Sequence, residues 1–309
     1  MDYNRLEQIR TTLNEKRAKI KNTVFRVYLI IFLIVLSFIV ISLGTAKSTI
    51  ILEAIFGLIP FALYLAFFHF IGYIIAVSVV TKDDQIEYKN AYKSYFVTET
   101  FKKVFTDISY SHKAAMPRNL IADTRMMNMG DRYSSNDYVI AKYKGISFKQ
   151  ADVHIQEEHS DDDGTTYVTI FRGRWIIFDL NKKFEKRLLV EGRHFGCARI
   201  AKQDNFKKME LESGEFNRNF DVRAQDGFEA YYLLDPAVME RIQKLSDLHN
   251  GRIMVCFADG KMHIGINNNI DSFEPPSPIA PIDEKKEFDK VINDIKVITN
   301  IVDEIKLIR

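Results

Sequence analysis

The sequence predicts an α+β fold that begins with a two-helix transmembrane hairpin, continues as a cytosolic domain of helices packed on a mainly antiparallel sheet, and ends in a C-terminal helix. Three observations lead to it: two long apolar runs near the amino terminus, alternating β-branched and aromatic residues in the middle, and a helical rhythm after a group of prolines. With 309 residues and 47% hydrophobic content, the chain has room for one soluble domain beside its membrane region.

The same patterns place the domain boundaries. The predicted regions are a basic amphipathic segment over 1–26, the transmembrane hairpin over 27–80, the cytosolic domain over 81–274, a proline-rich linker over 275–282 and an amphipathic helix over 283–309. The linker contains four prolines, which favour stiff, extended chain.

The two apolar runs are residues 27–44 and 55–80, each near the roughly 20 residues that cross a bilayer. The first 26 residues carry seven Lys or Arg and residues 81–103 carry five, whereas the connection over 45–54 has one Lys and one Glu. Because basic flanks stay on the cytoplasmic side, the sequence predicts a multi-pass protein of the bacterial cytoplasmic (inner) membrane with both termini in the cytoplasm. The alternative is a cleaved signal peptide, which would reverse the topology.

One titratable side chain, His69, lies well inside the second apolar run. It belongs to a helical stripe that we expect to pack against the first run. The stripe consists of Ala62, Ala66, His69, Gly72 and Ala76. A neutral imidazole on this face would hydrogen-bond the partner helix through Ser37 or Ser42. The alternative, a proton relay, would need a second acid or base within the spans.

After the second run the sequence becomes charged and rich in aromatic residues. Apolar residues recur at steps of three and four from Tyr88 to Ile108, which predicts one amphipathic helix leaving the membrane. The next segment has no periodicity and contains Met126, Met127 and Met129. Their thioethers either fill irregular gaps in a core or bind copper(I).

Strand patterns then dominate. Residues 138–144 and 146–157 alternate, with a parity shift near Gln150 that indicates a bulge, and residues 165–180 form a long β-branched and aromatic run. The last two segments are predicted to pair as a hairpin. Its acidic tip lacks the ligand spacing of a calcium loop, so we expect a solvated turn.

A capped helix and a second hairpin follow. The pair Asp235-Pro236 predicts a helix start, because the Asp side chain can cap free amides and Pro at the first helical position loses no hydrogen bond. Asn250-Gly251 predicts the end of that helix. Two short apolar strands then flank the two-residue turn Asp259-Gly260.

The register of this hairpin supplies the candidate catalytic residues. With the turn at Asp259-Gly260, Cys256 lies directly opposite His263. A thiol beside an imidazole is half of a nucleophilic or metal site, but no third orienting residue is recognisable nearby in sequence. The competing interpretation is a cysteine that packs as a small hydrophobic side chain.

Composition and motifs argue against several classes of function. The formal net charge of +2 gives no reason to expect a nucleic-acid partner, and two cysteines are too few for a disulfide framework. The sequence has no phosphate-binding glycine loop, dinucleotide fingerprint, serine elbow or zinc-binding motif. We therefore expect neither a cofactor nor a metal.

Four basic residues near the end of a predicted strand are candidates for contact with lipid head groups. They are Arg172, Arg174, Lys182 and Lys183. The alternative is a solvated sheet edge, where charges discourage pairing with another sheet.

The final helix carries an apolar seam with alternating steps of three and four. The seam consists of Phe288, Val291, Ile295, Ile298, Val302 and Ile305. Near the amino terminus, Leu6, Ile9, Leu13 and Ile20 follow the same rhythm. The pattern allows two interpretations. The terminal helices associate beside the membrane, within one chain or between two, and drive homo-oligomerisation, or the last helix docks on its own domain.

Several blocks of the sequence carry a family resemblance. They are "FRGRWIIFDLNKKF" (171–184), "EFNRNFDV" (215–222), "EAYYLLDPAVMERI" (229–242) and "FEP" (273–275). With the two-span start, they resemble DUF3137, an uncharacterised bacterial membrane family with no assigned activity or catalytic residues. Because its members are often encoded near LemA-type membrane proteins, the resemblance implies a LemA-type protein partner and a shared membrane process.

These observations favour a membrane-anchored, cytosolic-facing binding or scaffold module in envelope maintenance or signalling. Its expected partners are membrane lipids and a protein. The alternative is a membrane-bound hydrolase or redox enzyme that uses Cys256 and His263. An accessible and reactive Cys256 would favour the enzyme.

Overall fold

The computed structural model describes residues 2–43, 48–161, 164–180, 186–196 and 205–306, but not the side chains of 38–39, 42–43, 48–59, 62 and 304–306. The predicted α+β class is confirmed: two apolar N-terminal helices precede a large antiparallel sheet and a C-terminal helix. The chain divides into two units, Met1–Tyr95 with Pro275–Asp283, and Phe96–Glu274 with Glu284–Arg309.

The first unit contains α1 (Tyr3–Leu43), α2 (Ser48–Val80) and α3 (Lys82–Tyr92). The basic segment and the first apolar run are one continuous helix of 41 residues, about 60 Å long at 1.5 Å per residue. Among the described residues, the stretches Tyr3–Ser37 and Leu63–Val80 are long and apolar enough to cross a membrane. Their length and composition suggest membrane association.

Helices α1 and α2 contact each other through aromatic side chains. The Tyr28 hydroxyl donates to Phe68 O at 3.0 Å, and the Tyr28 and His69 rings lie 5.1 Å apart at 84°. A Cβ at Gly72 would lie 3.0 Å from the Tyr28 oxygen, so the glycine leaves room for this tyrosine. His69 therefore packs edge-on against an aromatic ring.

The other residues of the predicted stripe, and the serines expected to bond His69, contribute less to the contact between α1 and α2. The hydroxyl of Ser37 donates to Ile34 O in its own helix rather than to His69. Ala66 is exposed and Ala76 is half-buried. The side chains of Ala62 and Ser42 lie outside the described residues.

The proline-rich segment 275–283 lies along the first turns of α1. Tyr3 Oη donates to Ile282 O at 2.8 Å, and Ile282 N donates to Glu7 Oε1 at 3.0 Å. Arg10 Nη1 donates to Pro278 O at 3.1 Å. The segment expected to be a linker is thus held by side chains of α1.

The second unit is built on one antiparallel sheet. Its described strands are β1 (Thr106–Ser111), β2 (Arg132–Tyr143), β3 (Ile146–Asp161), β4 (Gly164–Asp179), β5 (Leu188–Gly192), β6 (Lys207–Met209), β7 (Phe220–Ala224), β8 (Ile253–Ala258) and β9 (Lys261–Ile266). Their order across the sheet is β1-β2-β3-β4-β9-β8-β5-β7-β6. Both predicted hairpins are present, β3 with β4 and β8 with β9.

The helices of the second unit are α4 (Thr98–Val104), α5 (Arg118–Ala122), α6 (Gly214–Asn219), α7 (Gly227–Leu233), α8 (Pro236–Leu248) and α9 (Glu284–Lys306). The sheet face that carries Asp152, Arg174 and Val255 packs against α4, α8 and α9, and we call it the helix face. The opposite face carries Trp175 and Cys256 and packs against the methionine-containing segment and α5; we call it the methionine face.

Met126, Met127 and Met129 are all buried on the methionine face, in one apolar cluster with Trp175 and Ile177. Their thioethers fill the space between the irregular segment and the sheet. The core-filling interpretation of these methionines therefore holds.

The amphipathic helix predicted from Tyr88 to Ile108 is shorter than expected. It is broken by a π-helical turn, Lys93–Val97, which coincides with the boundary between the two units. It ends at Val104, and Ile108 lies in β1. Strand β1 pairs with β2, for example Tyr110 with Val139, so long-range pairing overrides the local helical pattern.

Helix α8 begins and ends where its sequence predicts. Asp235 Oδ1 accepts a hydrogen bond from Val238 N at 2.8 Å, which caps the first turn. Asn250 and Gly251 have φ values of +54° and +73°, the left-handed conformation that stops a helix. Gly251 N then donates to Ser246 O at 2.8 Å.

Helix α9 docks on its own unit. Val291, Ile295, Ile298 and Val302 are each at most 2% exposed, and the Phe288 ring lies 4.8 Å from that of Phe96. The described part of the predicted seam is therefore buried within the chain. The docking interpretation therefore holds for the described part of this helix, and homo-oligomerisation stays a prediction.

Candidate functional site

A group of acidic side chains lies on the helix face, and we call Asp137, Asp152 and Asp271 the carboxylate cluster. The strand register assembles it, because Asp152 on β3 lies opposite Arg174 on β4. Asp137 sits in the bulge of β2 with φ +54°. One oxygen from each of the three carboxylates lies within 4.8 Å of the others.

Ser272 links Asp152 to the buried guanidinium. Asp152 accepts hydrogen bonds from Ser272 N at 2.6 Å and from Ser272 Oγ at 3.0 Å. The same Ser272 Oγ accepts from Arg174 Nη2 at 2.6 Å and from Nε at 3.2 Å. Arg174 Nη1 donates to Asp294 O of α9 at 2.6 Å, so this network also holds the C-terminal helix.

The other two carboxylates are joined by an amide. Tyr110 Oη donates to Asp137 Oδ1 at 2.6 Å. Asn136 Nδ2 donates to Asp137 Oδ2 at 2.9 Å and to Asp271 Oδ1 at 3.2 Å. Residues from β1, β2 and the loop after β9 therefore meet at one point.

The electrostatics of the cluster are dominated by burial. Burial raises the pKa of Asp152 to about 7; Arg174 opposes this shift and Asp137 adds to it. Burial lowers the pKa of Arg174, while Asp152 raises it. Burial and the neighbouring Asp137 raise the pKa of Tyr110 above its ordinary value, so Tyr110 stays a hydrogen-bond donor.

The loop after β9 is held in an unusual conformation. Phe273 has φ +60°, a region that bulky side chains rarely adopt, yet it is only 1% exposed. Its ring lies 5.3 Å from that of Phe101 and 5.4 Å from the guanidinium carbon of Arg174. These contacts hold Ser272 and Asp271 over the sheet.

The sequence contained a signal for part of this cluster. A bulge does lie at Gln150 in the β2–β3 pair, where Asn136 is opposite Asp152 and Val139 is opposite Gln150, but the extra residue belongs to β2. On the β4 side the register is continuous at Gln150 and shifts between Ile155 and Gln156. Gln150 and Asp152 are buried polar residues on the helix face, while Ala151 is buried on the methionine face. A strand buried on both faces does not alternate.

Cys256 and His263 are paired as the hairpin register predicts, around the turn at Asp259 and Gly260. Cys256 is 1% exposed within the apolar cluster of the methionine face. Burial raises the pKa of its thiol to about 12, so the thiolate is scarce at neutral pH. This environment fits a packed side chain and not a nucleophile.

His263 is also poorly suited to act as a base for that thiol. Burial lowers the pKa of the imidazole to about 3, with further lowering by Lys261 and Arg187. The side chain borders a cavity of about 180 Å³ that is also lined by Asp123 and Thr124. The histidine is therefore neutral, and its Nδ1 is buried without a hydrogen-bond partner among the described residues.

The four basic residues expected at lipid head groups do not form one surface. Arg174 is 7% exposed and lies in the carboxylate network, so it cannot reach lipid. Arg172 is exposed. Lys182 and Lys183 lie outside the described residues. The expectation is wrong for Arg174, because the strand turns this side chain to the helix face.

An apolar groove runs between α8 and α9 over the helix face, and we call it the α8/α9 groove. Its floor is formed by sheet residues and its walls by helix residues, and it encloses about 270 Å³. The apolar lining residues are Val238, Ile242, Leu245, Leu248, Val255, Phe257, Met262, Ile264 and Ile301. Arg241, Lys244, Asn300 and Asp303 supply the polar atoms of its rim.

The comparisons with known proteins bear on the second unit. Residues 169–307 match the family model of DUF3137, described as a protein of unknown function. The resemblance expected from the sequence blocks is confirmed over this range. The match includes most of β4, the α8/α9 groove and α9, and it does not include α1 and α2.

No curated protein matches the chain. Among solved structures, the crystal structure of the mycobacterial trehalose monomycolate transport factor A, TtfA, is similar at 6% sequence identity. The alignment covers 69% of this chain and 93% of that one, with a TM-score of 0.37. A likeness this distant carries no argument about function.

Proposed function

We propose that this protein is a membrane-anchored binding module whose second unit holds the hydrocarbon chain of a membrane lipid in the α8/α9 groove. The observation that carries the proposal is the groove itself. Apolar side chains of both helices and of the sheet line it, and Leu248 at its rim is 69% exposed. An apolar concavity of this kind is a default binding site in a folded domain.

The size and chemistry of the groove suit a narrow apolar ligand. Its volume of about 270 Å³ lies at the low end of small-molecule sites, which span roughly 300–1,000 Å³. Its floor residues Val255 and Ile264 are at most 1% exposed and carry no polar side-chain atoms. A ligand bound there gains mainly by removing apolar surface from water.

A lipid fits this site better than a soluble metabolite. The two helices suited to crossing a membrane would keep the second unit beside a high local concentration of lipid. Two cations, Arg241 and Lys244, and one carboxylate, Asp303, lie at the rim, and Lys244 also pairs with Glu240 at 2.9 Å. We propose that Arg241 is the charge that attracts an anionic head group. The acyl chain would then enter the groove with the head group at the rim.

The proposal also includes the membrane topology, that is, the side of the membrane on which the two termini lie. Seven Lys or Arg precede the first apolar run and five follow the second, so we propose that both termini face the cytoplasm. Single cysteines replacing Asn4 and Lys261 should both resist a membrane-impermeant thiol reagent in intact cells and react after permeabilisation. Reaction of the Lys261→Cys variant in intact cells would contradict this topology.

The lipid is tested by photo-crosslinking. The full chain in nanodiscs that contain a phospholipid with a diazirine on its acyl chain should be labelled within residues 236–248 and 253–266. Leu245→Trp places a bulky ring in the groove wall and should reduce this labelling by about tenfold, whereas the exposed Asp247→Trp on the same helix should not.

Two outcomes would contradict the proposal. Labelling restricted to the apolar stretches of α1 and α2 would show that the groove takes no acyl chain. A polypeptide co-purifying with the protein and crosslinked to the groove would show that the occupant is a protein, such as the LemA-type partner that the family resemblance implies.

A further inference from the structure

We infer that the cavity bordered by His263 binds a small zwitterion, a molecule that carries one ammonium group and one carboxylate or phosphate group. The cavity lies between the methionine face of the sheet and the segment of α5, and we call it the α5 cavity. Leu120 of α5, with Asp123 and Thr124 just after it, lines one side, and strand residues line the other.

The size of the α5 cavity sets the size of the ligand. Its volume is about 180 Å³. A cavity of roughly 150 Å³ holds one benzene molecule, so a ligand of about six to ten non-hydrogen atoms fits. This range includes small amino acids and phosphoethanolamine.

The strand register gathers charged side chains at the cavity. Lys149 lies opposite Ile177, which in turn lies opposite His263, so these three side chains form one row on the methionine face. Asp179 lies opposite Lys261 in the next row on the same face. All five residues line the cavity.

Four charged side chains that line the cavity form no ion pair and no side-chain hydrogen bond with another residue in the part of the chain that the structure describes. They are Lys149, Lys261, Asp123 and Asp179. The two lysines are half-buried, whereas the two aspartates are exposed. The cations therefore lie deeper in the cavity, and the carboxylates lie at its mouth.

His263 is a second and independent indication of a ligand. Its side chain lines the cavity and is only 5% exposed, yet its Nδ1 has no hydrogen-bond partner among the described residues. Buried polar groups nearly always have partners. A neutral imidazole offers one donor and one acceptor, so it can bond to either end of a zwitterion.

The charges favour a zwitterion over an ion of one sign. An anion alone would meet the aspartates at the mouth, and a cation alone would meet the lysines inside. Besides burial, the nearby Lys261 and Arg187 lower the pKa of His263, so the potential at the inner end is positive. The acidic group of the ligand would face the lysines, and its ammonium group would face Asp123 and Asp179.

The last charged residue of the cavity does not change this arrangement. Asp259 lines the cavity but is exposed, and its carboxylate lies 3.8 Å from the Arg187 guanidinium. Its charge is therefore balanced within the protein.

Two sources supply a ligand of this chemistry: a free amino acid, and the ethanolamine head group of a phospholipid. L-alanine and O-phosphoethanolamine represent them as probes. Each is titrated into the full chain in a non-ionic detergent by calorimetry, and thermal unfolding is followed by the fluorescence of Trp175, which is buried on the same sheet face. At least one probe should bind at one molecule per chain and raise the Tm.

Fragments of each probe test whether both charges are needed. Propionate and ethylamine each keep one charged group of L-alanine, and inorganic phosphate and ethanolamine do the same for O-phosphoethanolamine. Each fragment should bind at least roughly tenfold more weakly than its parent probe, because it loses a charged hydrogen bond. Binding of L-alanine alone identifies an amino-acid site, and binding of O-phosphoethanolamine alone identifies a head-group site.

Three variants test the residues of the cavity. Lys149→Gln, Asp179→Asn and His263→Phe should each weaken binding of the probe by roughly tenfold. The matched controls are Lys208→Gln and Asp289→Asn, which remove the same charges at exposed positions outside the cavity. Both controls should bind the probe as the wild type does.

The inference is wrong if neither probe binds or raises the Tm of the wild type. It is also wrong if a single-charge fragment binds as tightly as its parent probe, or if Lys149→Gln and Asp179→Asn both keep the wild-type affinity. None of these results bears on the α8/α9 groove, which lies on the opposite sheet face and shares no residue with the α5 cavity.

Discussion

Replacing Ile295 and Ile298 of α9 together by aspartate should unfold the second unit rather than dissociate an oligomer. Both side chains are at most 2% exposed within the chain. Removing a buried isoleucine costs about 2–5 kcal/mol, and each aspartate adds the cost of a buried charge. Two such changes approach the roughly 5–15 kcal/mol that holds a domain folded.

The measurement is the fluorescence of Trp175, the single tryptophan of the chain, which is 0% exposed on the methionine face. In detergent, the double variant should show the red-shifted emission of exposed indole at a temperature where the wild type does not. The control is Ile292→Asp with Asn293→Asp, since both residues lie on the exposed side of α9. A folded double variant with a smaller assembly size would restore the coiled-coil interpretation.

Replacing Arg174 by methionine should destabilise the second unit by about 3–5 kcal/mol, the usual cost of removing one partner from a buried ion network. Arg174 donates to Ser272 Oγ, which donates to Asp152, and to Asp294 O of α9. The variant leaves the carboxylate cluster without its guanidinium. It also removes a hydrogen bond that holds α9.

Arg172→Met is the matched control. Arg172 is exposed two residues earlier on the same strand, and its backbone bonds to Asn267 and Asn269 do not require its side chain. Denaturant unfolding should place this variant within about 0.5 kcal/mol of the wild type. If both variants are equally stable, Arg174 has no structural role. That result would agree with the expectation that both arginines lie at the surface and contact lipid.

Local chemistry made several elements predictable. The helix start at Asp235-Pro236 and the hairpin turn at Asp259-Gly260 were predictable, because capping and left-handed turns depend on a few adjacent residues. The same turn set the register that places Cys256 opposite His263. The register alone did not decide between a reactive and a packed cysteine, because the burial of Cys256 depends on the side chains that cover it.

The carboxylate cluster could be predicted only in part. Asp152 and Gln150 disturb the alternation of β3, which is a detectable signal of a strand buried on both faces. Asp137 and Asp271 gave no such signal, because their positions depend on a bulge in β2 and on the strained loop before Phe273. Strand β1 was not predicted either. Its residues follow a helical pattern in the sequence, but they form a strand because they pair with β2.

The sequence by itself determined which side chains are apolar and which face of each element they occupy, as in the seam of α9 and the apolar stretches of α1 and α2. Only the tertiary structure decided what covers those faces. It placed the α9 seam on its own sheet, segment 275–283 on α1, and Arg174 in the interior. The physical reason is that apolar burial has no direction: a periodic pattern specifies a face to be buried but not the surface that buries it.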